Sequence, residues 1–126
     1  MQTGLTIYVG AQRIGMKLSL RGSCTGPVEA AHLKQVATHV MGLGSRTLWI
    51  DCEHVAAVST QGQQAILHIE QQAALAQVPV YWCGFSNQLI QELSATGLYG
   101  ILRSLPATGY QDPEGIQPVT VVPFIA

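Results

Sequence analysis

Two short stretches of this chain gather residue types that could do chemistry. In Asp51-Cys52-Glu53-His54 a thiol and an imidazole stand among carboxylates, the makings of a metal site or of acid–base or thiol catalysis. No second pair of ligands stands at metal-binding spacing, so the stretch reads as a strand end running out into solvent. In Ser59-Thr60-Gln61-Gly62-Gln63 two hydroxyls precede an apolar-periodic run, and Thr60 and Gln63 have the T-x-x-Q spacing of a capping box. A hydroxyl there either caps a helix, worth about 0.5–2 kcal/mol, or accepts a phosphate that the helix dipole and free N–H groups favour.

The remaining candidates read as structural. Cys24, Cys52 and Cys83 are odd in number and widely spaced, with no CxxC pair, and are expected to be reduced, buried thiols. His32, His39 and His68 fall in helical stretches, where solvated or hydrogen-bonded histidines are the common case. Trp49 and Trp82 sit in apolar strand-like runs, as core or interface anchors. The sequence contains no GxSxG elbow, P-loop, GxGxxG or HExxH. The expectation is therefore no catalytic residue, no metal site and no cofactor, with a thiol enzyme built on Cys52 and His54 as the third of three functional readings.

Periodicity places these residues on elements. Leu5–Val9 and Met16–Leu20 read as two β-runs forming a hairpin or neighbouring edge strands. Gly22–Pro27 is a turn rich in cap residues, and Leu33, Val36, Ala37 and Val40 follow with helical spacing, capped by Thr25 or a neighbour and stopped at Gly42-Leu43-Gly44. Thr47–Asp51 is a buried strand, followed by a loop from Cys52 to Val58. The helix after Thr60 turns Ile66, Ile69, Ala73 and Ala76 inward and runs to about Gln77. Val78–Cys83 is a second buried strand. Phe85-Ser86-Asn87 caps a third helix from Gln88 to about Thr96, with Leu89, Ile90 and Leu93 inward and Gly97 as its stop, and Leu98–Leu105 is one more short turn. From Pro106 onward Pro and Gly break the periodicity until Val119–Val122, a terminal strand or a partner-binding tail. The order β, β, α, β, α, β, α predicts a single α/β domain with helices packed on a sheet, over residues 1–105, and a C-terminal extension over 106–126.

Composition narrows the function. The chain has 126 residues, 48% of them hydrophobic and only 10% charged, against roughly 25% charged in an average domain. Disorder is excluded for the chain as a whole. A formal charge of −1 with no basic cluster leaves nothing to neutralise phosphates, so nucleic-acid binding is excluded too. No segment strings 18 apolar residues together, and Met1–Leu5 is not a basic region leading into a long apolar run. The expected setting is the cytoplasm, without a membrane span. So few charges leave apolar area exposed, which favours a homodimer or a place in a larger assembly.

Four short segments, taken in order, resemble a STAS domain, the module of anti-sigma factor antagonists, stressosome proteins and sulfate-transporter tails. They are Leu18-Ser19-Leu20-Arg21-Gly22, Leu48-Trp49-Ile50-Asp51, Val58-Ser59-Thr60-Gln61-Gly62 and Thr96-Gly97-Leu98, and the likeness spans about Leu18 to Leu102. The resemblance implies a mixed β-sheet with helices packed on it. It puts Thr60 at the position phosphorylated by a partner Ser/Thr kinase in regulatory members, with Ser59, the alternative acceptor, beside it where the family usually has Asp. It implies a partner surface of Asp51, Ser59, Thr60, Gln61, Gly62 and Gln63, and an anti-sigma factor, a Ser/Thr kinase or another STAS protein as partner. A phosphate adds about −1.5 to −2 charges, which the helix start tolerates and a partner packed there does not. The alternative reading is a constitutive docking subunit of a transporter or scaffold complex, in which Thr60 is only a cap.

Overall fold

Strict alternation along the strands sorts their side chains onto two faces. In the computed structural model, which describes residues 4–12, 15–43, 46–102, 104–105 and 121–125, the chain runs β1 (Leu5–Gln12), β2 (Gly15–Cys24), α1 (Pro27–Met41), β3 (Leu48–Val58), α2 (Thr60–Ala76), β4 (Val80–Cys83), α3 (Asn87–Ala95), a 3-10 turn (Leu98–Ile101), β5 (Ser104–Leu105) and β6 (Val121–Ile125). The strands form one six-stranded sheet in the order β5-β4-β3-β2-β1-β6. The hairpin β1–β2 is antiparallel, whereas β2, β3, β4 and β5 are parallel neighbours. Each step from β2 to β5 moves one place in the same direction, so right-handed crossovers put α1 and α2, and α3 with its 3-10 turn, on one face. The α/β architecture expected from the order of elements is the one observed.

The core lies between that face and the helices. Leu5 and Ile7, Leu18 and Leu20, Leu48, Ile50 and Cys52, and Val80 and Trp82 meet Leu33, Val36, Ala37, Ile66, Ile69, Leu89 and Leu93 in one buried cluster. Each fully buried aliphatic or aromatic side chain contributes about 1.5–3 kcal/mol relative to exposure. Trp82 is fully buried here, and its indole Nε1–H donates to Glu70 Oε2 at 2.7 Å, so its polar edge is satisfied. Trp49 is half-buried and stacks on Tyr81, with ring centroids 4.8 Å apart, on the opposite face.

Several boundaries differ from the sequence reading, mostly because of strand pairing. Gly22, Ser23 and Cys24 are not a turn but the end of β2, paired with Val55, Ala57 and Val58. For the same reason residues 52–58 are not a loop but the second half of β3. Two irregularities in the β2–β3 register absorb the mismatch, one beside Gly22, whose φ of 114° suits glycine and whose added Cβ would lie 2.2 Å from Gly4 O. Helix α1 is capped by Gly26 with no side-chain hydrogen bond, followed by Pro27; Thr25 is not its cap. Ala76 is exposed rather than inward. Val78 precedes β4, its N–H donating to Ala73 O at 2.9 Å at the end of α2. Ser86 caps α3 as expected, its Oγ accepting from Leu89 N, and Gly97 takes φ 83° beyond its end. Ile90 is half-buried, while Leu89 and Leu93 are buried. Strand β6 pairs antiparallel with β1, from Thr6↔Ile125 to Gly10↔Val121. The expected strand at Val119–Val122 falls partly, and the breaker-rich run from Pro106 wholly, outside the described residues, as does the stop residue Gly44.

Candidate functional site

The start of α2 is set by where the chain leaves the sheet. Strand β3 stays paired to β2 as far as Val58, and the next residue, Ser59, is still extended at φ −82° and ψ −177°. Its backbone N–H donates to Cys24 O at 3.0 Å, tying the turn to the end of β2. Its Oγ accepts from Gly62 N at 3.3 Å, and the hydroxyl donates to Gln61 Oε1 at 3.2 Å. Ser59 is therefore the cap, and the expected capping box at Thr60 and Gln63 does not form. Periodicity alone left the helix start uncertain by one residue, which decides between two adjacent hydroxyls.

Thr60 is instead the first helical residue, and it is exposed. No acidic side chain occupies the first turn of α2, so the helix itself supplies no countercharge to the positive end of its dipole. Gly62 is buried, and a Cβ there would lie 2.3 Å from Cys24 O and 2.7 Å from Val58 Cγ1. A side chain at that position would push α2 off the ends of β2 and β3. Gln63 turns away from the cap, and its Oε1 lies 2.6 Å from Thr96 Oγ1 beyond α3, the hydroxyl also lying 3.1 Å from Leu93 O. Between these elements runs a groove of about 310 Å³ whose walls include Thr60, Gln63, Gln64, Leu67, Leu98 and Ile101. Among the described residues no charged side chain lines it, and Leu67 and Ile101 are both exposed. Thr96, Leu98 and Ile101 join the site only through the return of the chain after α3, a signal that no local spacing carries.

Asp51 stands apart from this group. It lies on β3 seven residues before Val58, between Ser19 of β2 and Cys83 of β4, on the face turned away from the helices. Its Oδ1 accepts from Glu53 N at 2.9 Å. The structure brings Ser59, Thr60, Gln61, Gly62 and Gln63 together and leaves Asp51 elsewhere.

The acid–thiol–imidazole stretch is dispersed by strand geometry. Cys52 points into the core, whereas Glu53 and His54 are exposed. Among the described residues no group of three or more His, Cys, Asp or Glu could hold a metal ion. Burial, with the nearby Asp51, Cys83 and Cys24 adding to it, pushes the Cys52 thiol well above its ordinary value. Burial first and Glu29 second raise Cys24 to about 11. Cys83 also reaches about 11, through burial and then Asp51, partly offset by Lys17. A nucleophilic cysteine needs a shift in the opposite direction. All three are free thiols in buried positions.

The STAS domain model matches residues 10–111. No curated protein matches the chain. Among solved structures, an anti-sigma factor antagonist from Mycobacterium paratuberculosis superposes with a TM-score of 0.72 at 16% identity, covering 82% of this chain and 87% of that one. The anti-sigma factor antagonist SpoIIAA in its unphosphorylated form gives a TM-score of 0.61 at 9% identity, covering 79% and 86%. At these identities the likeness is one of fold. Among the described residues no helix is long and apolar enough to cross a membrane. With the family model spanning most of the sequence, the chain belongs to the STAS domain family.

Proposed function

We propose that this protein is a phospho-regulated binding module of the anti-sigma factor antagonist type, acting in the cytoplasm and performing no catalytic step itself. Thr60 is the phosphoacceptor, and Ser59, Thr60, Gln61, Gly62 and Gln63 with the adjoining groove form the partner surface. The partner is an anti-sigma factor or the Ser/Thr kinase that phosphorylates Thr60. The observation that carries this reading is the division of labour between the two hydroxyls. Ser59 Oγ is occupied as the helix cap, while Thr60 is exposed at a helix start without an acidic neighbour in its first turn. A phosphate on Thr60 is favoured by the dipole by about 0.3–1 kcal/mol, so the domain stays folded. A partner seated on the same turn meets about −1.5 to −2 charges beside a groove whose described lining carries none.

The test pairs phosphosite mapping with binding. Incubation with the anti-sigma kinase from the same genome and ATP is expected to place phosphate on Thr60 and not on Ser59, read by mass spectrometry. Thr60→Glu is expected to weaken partner binding at least tenfold, about 1.4 kcal/mol, with an unchanged melting temperature. Equal binding by wild type and Thr60→Glu sinks the switch. That outcome favours a constitutive docking subunit, a reading supported by the uncharged groove with exposed Leu67 and Ile101.

A further inference from the structure

Helix α2 carries a stripe of residues that runs past the candidate site to the other end of the helix. Thr60, Gln63, Gln64 and Leu67 line the groove beside the capping turn. Glu70, Ala73, Ala74 and Gln77 continue the same three- and four-residue spacing along a second recess, of about 400 Å³. Exposed Ile101 lines both, so the two hollows adjoin along a helix of 17 residues.

The second recess has the chemistry of a site for a cation on an aliphatic stem. Ala73, Val78, Pro79, Val80 and Ile101 give it walls that suit methylene groups. Its charge is Glu70, whose Oε2 accepts the Trp82 indole N–H at 2.7 Å. Trp82 is fully buried, so this hydrogen bond pins the carboxylate, and a carboxylate has room for further donors. The recess reaches the end of α2 at Gln77, and no basic side chain stands in the last turn, so the negative end of the helix dipole adds to the charge of Glu70.

Neighbouring charges leave that sign standing. Among the described residues Glu70 is the one charged residue lining the recess. His68 of α2 lines a different groove, with Lys34 and His39 of α1. Strand β4 and the 3-10 turn contain no Lys, Arg, His, Asp or Glu, and Glu92 of α3 has the same sign as Glu70. Arg103 lies outside the described residues.

We propose that this recess receives an arginine side chain of a partner protein, its stem along the aliphatic walls and its guanidinium on Glu70. Arginine fits better than lysine because its cation is more weakly hydrated and its planar fork of donors reaches around a carboxylate that already holds one hydrogen bond. That the arginine belongs to a protein rests on the partner surface proposed above, which the stripe continues. The recess itself does not depend on phosphorylation at Thr60.

The chain has two tryptophans, Trp49 and Trp82, so a 15N-labelled sample gives two indole N–H signals, which Trp49→Phe assigns. The probe is Nα-acetyl-arginine methylamide, with the norleucine analogue as its uncharged control. The arginine probe is expected to move the Trp82 signal of the full chain, and the norleucine analogue to leave it in place. Glu70→Gln keeps an acceptor for the indole and is expected to weaken the response about tenfold. A Trp82 signal unmoved up to the solubility limit of the probe, or an equal response in Glu70→Gln or to norleucine, overturns the proposal. So does a response seen only in Arg103→Gln, which would put the chain's own arginine in the recess. Binding to the anti-sigma kinase from the same genome tests the partner: Glu70→Gln is expected to weaken it about tenfold, and unchanged binding overturns the assignment to a partner's arginine. A kinase that does not bind the wild type counts against the function proposed above, while the arginine probe decides the recess.

Discussion

Helices α1 and α2 begin in parallel settings and are finished differently. Each follows a strand end at the same edge of the core, β2 closing at Cys24 and β3 at Val58, which are paired to each other. Helix α1 starts from Gly26 without a side-chain cap, begins with Pro27 and carries Glu29 in its first turn. Helix α2 starts from a capping Ser59, has no acid in its first turn and exposes Thr60. The α1 terminus already holds a negative charge near its dipole, whereas the α2 terminus leaves that place open. A negative charge added at the start of α1 would meet Glu29, whereas one added at the start of α2 would meet no acid from that helix's first turn.

Glycine substitutions separate the two helix starts most strongly. At Gly62 a Cβ meets the Cys24 carbonyl at 2.3 Å, and backbone cannot swing away. At Gly26 the nearest atom, at 2.5 Å, is the Glu29 carboxylate, which can. Gly62→Ala is expected to destabilise by about 2–3 kcal/mol, the upper part of the overpacking range, and Gly26→Ala by about 0.5–1 kcal/mol, because Ala caps a helix less well than Gly. Thermal denaturation of the two variants side by side checks this, and equal losses would mean that α2 is not pinned against β2.

The cap gives the next largest effect. Ser59→Ala leaves Gly62 N–H without its acceptor and is expected to cost about 1 kcal/mol in denaturant unfolding. The α1 start has no side-chain cap to lose.

Alkaline pH acts on the residue between the two helix starts. Cys24 sits near Glu29 of α1 and against Gly62 of α2, and its thiol is raised from 9.0 to about 11. Because the folded value lies above the unfolded one, the native state holds this proton more tightly. Stability is intact below about pH 9 and falls as the pH rises from 9 toward 11. Cys24→Ala is expected to flatten part of that fall in pH-dependent urea melts, Cys83 supplying a similar limb of its own. Smallest of all is Thr60→Ala, expected to stay within about 0.5 kcal/mol because the side chain is exposed and not the cap. A loss comparable to Ser59→Ala would restore Thr60 as a structural residue and weaken its assignment as a phosphoacceptor.

What the sequence determined by itself is local. Helical spacing of Leu33, Val36, Ala37 and Val40, the cap at Ser86 and the apolar run through Ile50 are set by neighbours a few residues apart, and those elements appear where the pattern puts them. The α/β order follows from them, and so does the placing of two hydroxyls at the start of α2. Only the tertiary structure decided which hydroxyl is engaged, because that depends on how far β3 stays paired to β2, a contact between residues 35 apart in the case of Ser59 and Cys24. Pairing also turned the apparent turn at Gly22–Cys24 and the apparent loop at 52–58 into strand, since a weak strand former is held once its partner supplies the hydrogen bonds. It moved Asp51 to the far face, away from Thr60, because successive residues of a strand point to opposite sides. In the sequence Gly62 stands only as one residue of a short motif and of the partner surface that the resemblance implies. It becomes a fixed point only where α2 and the end of β2 approach too closely for any side chain.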